Sequence, residues 1–373
     1  MMFIMPALNL AKCRKGSTLL QYFINFDFEV KIWRETIRNL SAENCLIWIL
    51  RDFTQEFLTK FTISTYILDT FSANAQKTSH IREVKNTTPN TSGQLGSYLA
   101  GLIESDGVLI TPKNSSATPT IYISLQEKDR PFAEHLKNYL GYGSIQPEAG
   151  SPNAIRFVIR NKEGIIDILN LINGFFRTPK ISRLHAMIEW VNTKPGYLLK
   201  PICELRSHTS QLNTNSWFAG FAEGDASFQI RISEGRYRHV ATTFELCQGR
   251  DDPALFQAYK PIMETIASFL LANLSVIHIS KCNRTGKQLL WRARNSSQAG
   301  SQIVADYFTQ FPLFSSKYLD FEGWKKAHML IASKAHLNKY GEEGLNHIKT
   351  IKANHNKNRT VFTWYHLKDM YTR

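Results

Sequence analysis

The stretch LGSYLAGLIESDGVLI (95–110) decides the reading of this chain, because NSWFAGFAEGDASFQI (215–230) resembles it with Asp106 and Asp225 in register. The two acids stand 119 residues apart (225 − 106), the length of a small domain. The likeness continues outward from them. LQEKDRPF (125–132) and CQGRDDPA (247–254) each follow a β-like stretch, and RTPK (177–180) and FSSK (314–317) each open a late helix. A self-similar period of this length marks a duplicated unit. Within each motif, small residues recur at helical spacing: Ala100, Gly101 and Ser105, then Ala219, Gly220 and Gly224. Glycine inside a helix costs up to about 1 kcal/mol relative to alanine, so its use predicts that two backbones approach closely, Gly101 against Gly220. Both helices end on an acid at the unfavourable end of the dipole, and two such acids brought together repel unless cations lie between them.

Each unit reads as helix, two strands, helix, two strands, helices. Thr91 and Gln94 have the spacing of a capping box. Tyr122, Ser124 and Gln126 alternate with Ile121, Ile123 and Leu125. In the second unit Gln229, Arg231 and Ser233 alternate with Phe228, Ile230 and Ile232, and Arg292 and Arg294 with Trp291 and Ala293. Strands are also expected at 144–146 and 155–160, the latter bringing Arg156 and Arg160, with an amphipathic helix over 132–140 before them. Sheets with one apolar and one polar or basic face suit a protein laid along a duplex.

The full chain has 373 residues, 45 bases against 31 acids, and a net charge of +14, which points to a polyanionic partner. Residues 1–90 carry 11 bases and 8 acids, so most of the excess follows them, and 325–373 alone hold ten bases and three acids. Trp324, Leu330, Leu337, Leu345 and Ile348 are expected to cover the second unit. His347 and His355, in this basic region, read as phosphate contacts or surface. Five scattered cysteines without a C-x-x-C pair exclude a disulfide framework and a cysteine-rich zinc site. The longest apolar run, 266–279, is too short for a span and is interrupted by polar residues, so a soluble protein with no membrane partner is expected. Positive charge follows the apolar start at the amino terminus, the reverse of a secretory signal. The polar stretch KTSHIREVKNTTPNTSGQ (77–94) reads as a linker, preceded by helices over 28–40 and 42–60. Four segments result: an extension and linker (1–90), two repeats (91–200 and 201–350) and a tail (351–373).

LAGLIESDG (99–107) and FAGFAEGDA (218–226) resemble the two signature motifs of the monomeric LAGLIDADG homing endonucleases, with further similarity across roughly 92–350. The resemblance implies an α+β fold of two pseudo-symmetric αββαββα repeats, with motif helices at the interface and antiparallel sheets saddling DNA. It implies a site-specific double-strand endonuclease promoting intron homing, acting as a monomer on a long duplex site in mitochondria or another organelle. Asp106 and Asp225 would be catalytic metal ligands, with the carbonyls of Ser105 and Gly224 completing a site for two or more divalent cations, Mg²⁺. Lys180, Lys317, Gln126 and Gln248 match the basic and polar residues that orient water and stabilise the transition state, the register of Gln126 depending on a small gap. The polar positions of the sheets (Gln229, Arg231, Ser233, Arg156, Arg160, Arg292 and Arg294) would contact DNA. An intron RNA maturase, or a non-cleaving DNA-binding regulator on a decayed nuclease, are the alternatives. Zinc, haem and nucleophile triads find no support. Two departures stand out. Ala226 replaces the glycine found as Gly107 in the first motif, which adds strain if the backbone there needs positive φ. Pro112 interrupts the strand after the first motif.

Overall fold

The structure, a computed structural model, describes residues 91–373 except 114–116, 235–237, 251–252, 281–286, 338–340 and 372–373. The chain divides after Asn86, and the helices expected at 28–40 and 42–60 lie outside the described residues.

The first repeat runs α1 (Thr91–Asp106), β1 (Gly107–Ile110), β2 (Thr120–Gln126), α2 (Arg130–Leu140), β3 (Ser144–Glu148), β4 (Ser151–Ile159), α3 (Lys162–Ile172) and α4 (Ile181–Thr193). The second runs α5 (Trp217–Asp225), β5 (Ala226–Glu234), β6 (Arg238–Arg250), α6 (Pro253–Ala258), α7 (Lys260–Phe269), β7 (Asn273–Ser280), β8 (Lys287–Asn295), α8 (Gln298–Gln310), α9 (Lys317–Ala332) and α10 (Gly341–Ala353). The sheets are antiparallel with matching orders, β1-β2-β4-β3 and β5-β6-β8-β7. The expected α+β architecture is present twice. The apolar run 266–279 divides into the end of α7 and most of β7, and among the described residues no helix is long and apolar enough to cross a membrane.

Alternation does the local work. In β2, Ile121, Ile123 and Leu125 are buried while Tyr122 and Ser124 are half-covered and Gln126 is exposed. In α2, Phe132, Ala133, Leu136 and Leu140 form a buried stripe, and Gly141 closes the helix at φ +80°. Arg160 falls just beyond β4, exposed at its end.

The motif helices cross through their small residues. A Cβ on Gly101 would stand 2.0 Å from the Trp217 carbonyl oxygen, and one on Gly220 would stand 1.9 Å from that of Tyr98. These contacts are reciprocal, since 217 and 220 equal 98 and 101 plus 119. Ser97 and Ser216, also 119 apart, share a hydroxyl hydrogen bond of 2.7 Å. The helices therefore run parallel, backbone to backbone, and deliver both acids to one end. Gln94 belongs to this seam: its Oε1 accepts from Ser216 N at 2.9 Å, a contact between repeats.

Ala226 has φ −83° and ψ 149°, ordinary extended backbone, so the strain expected there is absent. Gly107 answers to a different demand: a Cβ on it would lie 2.5 Å from Ile103 Cα. Pro112 lies beyond β1, which ends at Ile110.

The carboxyl-terminal segment is part of the fold. His355 is buried, with Nε2 2.8 Å from the Phe228 carbonyl, and Arg359 Nε donates to Asp320 at 3.1 Å. His355 is therefore neither surface nor phosphate ligand, whereas His347 is exposed. Tyr371 packs against Tyr98 and Phe314, with ring centroids 5.9 and 5.4 Å away. Trp324, Leu345 and Ile348 are buried as expected and Leu330 packs against the core, but Leu337 is 64% exposed, just past the end of α9. Truncation after residue 353 removes buried Leu367 and Met370 together with the Tyr371 contact. At about 1.5–3 kcal/mol per buried apolar side chain, it should cost roughly 4 kcal/mol or more, read as a lower urea midpoint or insoluble protein.

Candidate active site

The site is assembled where α1 and α5 end. Asp106 is mostly buried, and a Cβ on Gly224 would come within 2.9 Å of its carboxylate. Asp225 is more exposed. Burial first and the negative charge of Asp225 second raise the Asp106 carboxyl from 3.8 to about 6, against the opposing pull of Lys317 and Lys180. A cleft of about 260 Å³ opens beside Asp106, lined also by Gln126, Asp129, Glu223, Gly224 and Lys317.

The two lysines start the late helices and reach back to the motif helices. Lys180 Nζ donates to the carbonyls of Ile103 (3.0 Å), Ser105 (3.2 Å) and Gly107 (2.8 Å). Lys317 Nζ donates to those of Ala222 (3.0 Å) and Gly224. An ammonium at each helix C-terminus meets its unsatisfied carbonyls and offsets the acid placed there. Burial lowers the pKa of Lys317 despite the nearby carboxylates of Glu223, Asp225 and Asp106. The carbonyls assigned to metal, Ser105 and Gly224, thus accept from lysine in this structure. Lys180→Met and Lys317→Met should each slow single-turnover cleavage by on the order of 10²–10³ with a smaller change in DNA affinity. Each should also lower the melting temperature, because the capped carbonyls lose their partner. Equal losses in affinity and rate would make them phosphate clamps.

Two residues that hold this geometry escaped the sequence reading. Glu104 is fully buried and accepts from Arg177 N (3.0 Å), Thr178 N (2.6 Å), Thr178 Oγ1 (2.5 Å) and, from the opposite motif helix, Trp217 Nε1 (2.6 Å). Burial raises its pKa against the downward pull of these donors. Glu223, 119 residues on, accepts from Phe314 N (2.6 Å), Ser315 N (3.1 Å) and Tyr98 Oη (2.7 Å) of the opposite helix. Each glutamate ties the helix crossing to the turn that carries its lysine. The signal was available, since an acid recurs at the sixth position of both motifs. Asp129 adds a link between repeats, accepting from Ser316 N at 2.8 Å next to Lys317.

The two glutamines are not counterparts. Gly107 pairs with Ile123, but Ala226 pairs with Leu246, so the second sheet runs four residues ahead and Gln126 corresponds to Gly249. Gln126 is exposed at the cleft, whereas Gln248 is 2% exposed on the core side with Phe244 and Leu246. The pleat therefore turns Gln248 away from the open face of the sheet and places Cys247 there, close enough for Asp225 to help raise its thiol to about 11, after burial and Glu245. Gln229, Arg231 and Ser233 share one face of β5, and Arg292 and Arg294 continue it on β8 opposite Cys247 and Glu245. Arg156 lies on the matching face of β4, held by Glu148 at 2.8 Å.

Among the described residues no cluster of three or more His, Cys, Asp or Glu is placed to hold a metal. The donor set is two carboxylates and helix-end carbonyls, all hard oxygens. That set fits an oxygen-seeking divalent cation taking the rest of its shell from water and phosphate.

The family model described as LAGLIDADG endonuclease matches residues 99–191 and 218–328. The intron-encoded DNA endonuclease aI3 of Saccharomyces cerevisiae is 29% identical over 310 residues, 74% of this chain and 73% of the relative. An uncharacterized cox1 intron-2 37.2 kDa protein of Schizosaccharomyces pombe is 30% identical over 268 residues, 71% and 74% of the two chains. The crystal structure of the meganuclease I-SmaMI bound to uncleaveable DNA is 20% identical with a TM-score of 0.49, over 71% of this chain and 98% of that one. With both motifs matched and their helices paired at a shared acidic end, the chain belongs to the LAGLIDADG endonuclease family.

Proposed function

We propose that this homing endonuclease cuts both strands of one long duplex DNA site, with Mg²⁺ as the working cation, from a mitochondrial intron. The observation that carries the reading is the meeting of Asp106 and Asp225 at the ends of two helices packed backbone to backbone. The pair is complete within one chain, which favours action as a monomer. The intron-encoded relatives of the two yeasts support the intron and the organelle.

Divalent cations at this end of the helices would supply the charge that activates water and stabilises the leaving 3′ oxygen. Asp106 and Asp225 would hold them, with the Ser105 and Gly224 carbonyls as further ligands. Lys180 and Lys317 fix the helix ends and add positive charge beside the scissile phosphates. Glu104 and Glu223 keep those lysines in register with the acids, and Gln126 is the polar group facing the cleft. The cleaving unit is taken to begin after residue 90, so deletion of 1–88 should leave soluble, cleaving protein. An insoluble or inactive product would move that boundary.

The decisive experiment is selection on a randomised duplex library with Mg²⁺. Recovery of one cut sequence is expected. Tight RNA or DNA binding without any cut duplex would favour a maturase or a regulator instead.

A further inference from the structure

The open faces of the two sheets differ in chemistry. Strands β1–β4 contain one base, Arg156, and one acid, Glu148, and these two are bonded to each other at 2.8 Å. The Arg156 guanidinium also lies over the Tyr122 ring, 4.5 Å from its centroid. On the open face of β5–β8 the register puts three bases, Arg231, Arg292 and Arg294, and one acid, Glu245. Register and alternation put Val108, Ile110, Tyr122, Gln126 and Gln146 on the first open face. Ile110 is 47% exposed, an aliphatic side chain held in water on a face otherwise short of charge. The second face presents Gln229, exposed Arg231, Arg292 beside Cys247, and Arg294 paired with Glu245 at 3.8 Å, so it keeps two arginines, Arg231 and Arg292, outside that ion pair.

In the major groove, aliphatic and aromatic groups meet the thymine methyl, glutamine pairs with adenine, and arginine takes the O6 and N7 acceptors of guanine. We infer that the half-site under the first sheet is read as A·T pairs through thymine-methyl contact centred on Ile110, and that the half under the second sheet is read as guanine by its arginines. The inference rests on the reading that the duplex lies along both sheets. It adds the base chemistry of each half and predicts a target whose halves differ in composition.

The test uses the full chain and the duplex recovered from a randomised library, remade with deoxyuridine for thymidine or 7-deazaguanine for guanine in one half at a time. Ile110→Ser marks the first half, since it should relax base preference there alone, and Arg231→Gln should do so in the other half. In the half marked by Ile110, uracil should weaken binding about fourfold per contacted methyl, the equivalent of one buried carbon, and Ile110→Ser should erase that sensitivity. In the other half, 7-deazaguanine should weaken binding about tenfold while uracil has little effect. Uracil acting equally in both halves, or an Ile110→Ser protein with unchanged preference and uracil sensitivity, would overturn the inference while leaving the nuclease intact. A library that yields no bound or cut duplex would instead strike the endonuclease reading, and this inference with it.

Discussion

Asp106→Asn should abolish double-strand cleavage, by on the order of 10³-fold or more, while raising the thermal stability of the metal-free protein. The two effects have one cause. In the folded chain the carboxyl is raised from 3.8 to about 6, by burial and then by Asp225, so the folded state binds this proton more tightly than the unfolded chain does. The stability it contributes is fully present below pH 3.8 and is lost as pH rises through about 6. At pH 7 the ionised acid is thus a liability, worth at most about 3 kcal/mol for a shift of this size. Asparagine removes that charge, so the variant should melt a few degrees higher in EDTA at pH 7 and lose the wild-type dependence between pH 4 and 6.5. Added Mg²⁺ should stabilise the wild type and not the variant. Binding should change little, because the acid serves the scissile phosphate rather than the bases. Asp225→Asn should also abolish double-strand cleavage. A variant that cuts normally, or one that melts lower without metal, would remove Asp106 from the role assigned to it.

Gly101→Ala and Gly220→Ala should each cost roughly 3 kcal/mol or more, and together should leave no folded protein. A single added carbon would stand 2.0 or 1.9 Å from a backbone oxygen of the other helix, and no side-chain rotation relieves a clash with backbone. The helices must part by about an ångström, which sacrifices packing on both sides of the crossing. That loss is a large share of a stability of about 5–15 kcal/mol. Gly93→Ala is the control, since a Cβ there meets nothing within 4 Å and alanine should be neutral or slightly stabilising in α1. Denaturant midpoints of the three variants check the argument. If Gly101→Ala proved as harmless as Gly93→Ala, the helices would not be packed through their backbones.

The parts of the fold that were legible in the sequence are those where one residue type has one physical excuse. Glycines repeated inside two helices announced the crossing, and the acids and lysines repeated with them. Alternation gave the faces of β2 and β5. Gln248 could not be placed this way, because matching LQ (125–126) to CQ (247–248) puts it one residue from Gly249, the true counterpart of Gln126, and a one-residue slip reverses the side of the sheet. Glu104 and Glu223 are not legible in the same way, because the donors that define their role lie far along the chain and meet them only in the fold. His355 and the tail were read through their basic neighbours, although the buried contacts of the segment come from Leu367, Met370 and Tyr371.

The 119-residue offset shared by Gly101 and Gly220, Glu104 and Glu223, and Tyr98 and Trp217 has a counterpart in the substrate. The sugar–phosphate rails of a double helix are superimposable after a half-turn, whereas the order of its letters is not. Around the helix seam this protein keeps its own half-turn nearly intact, and it gives that up in sheets of unequal length. A tool whose blades are related by a half-turn and whose handles are not suits two equivalent bonds inside an address that lacks that symmetry, and one handle can be reshaped for a new address without regrinding the blades.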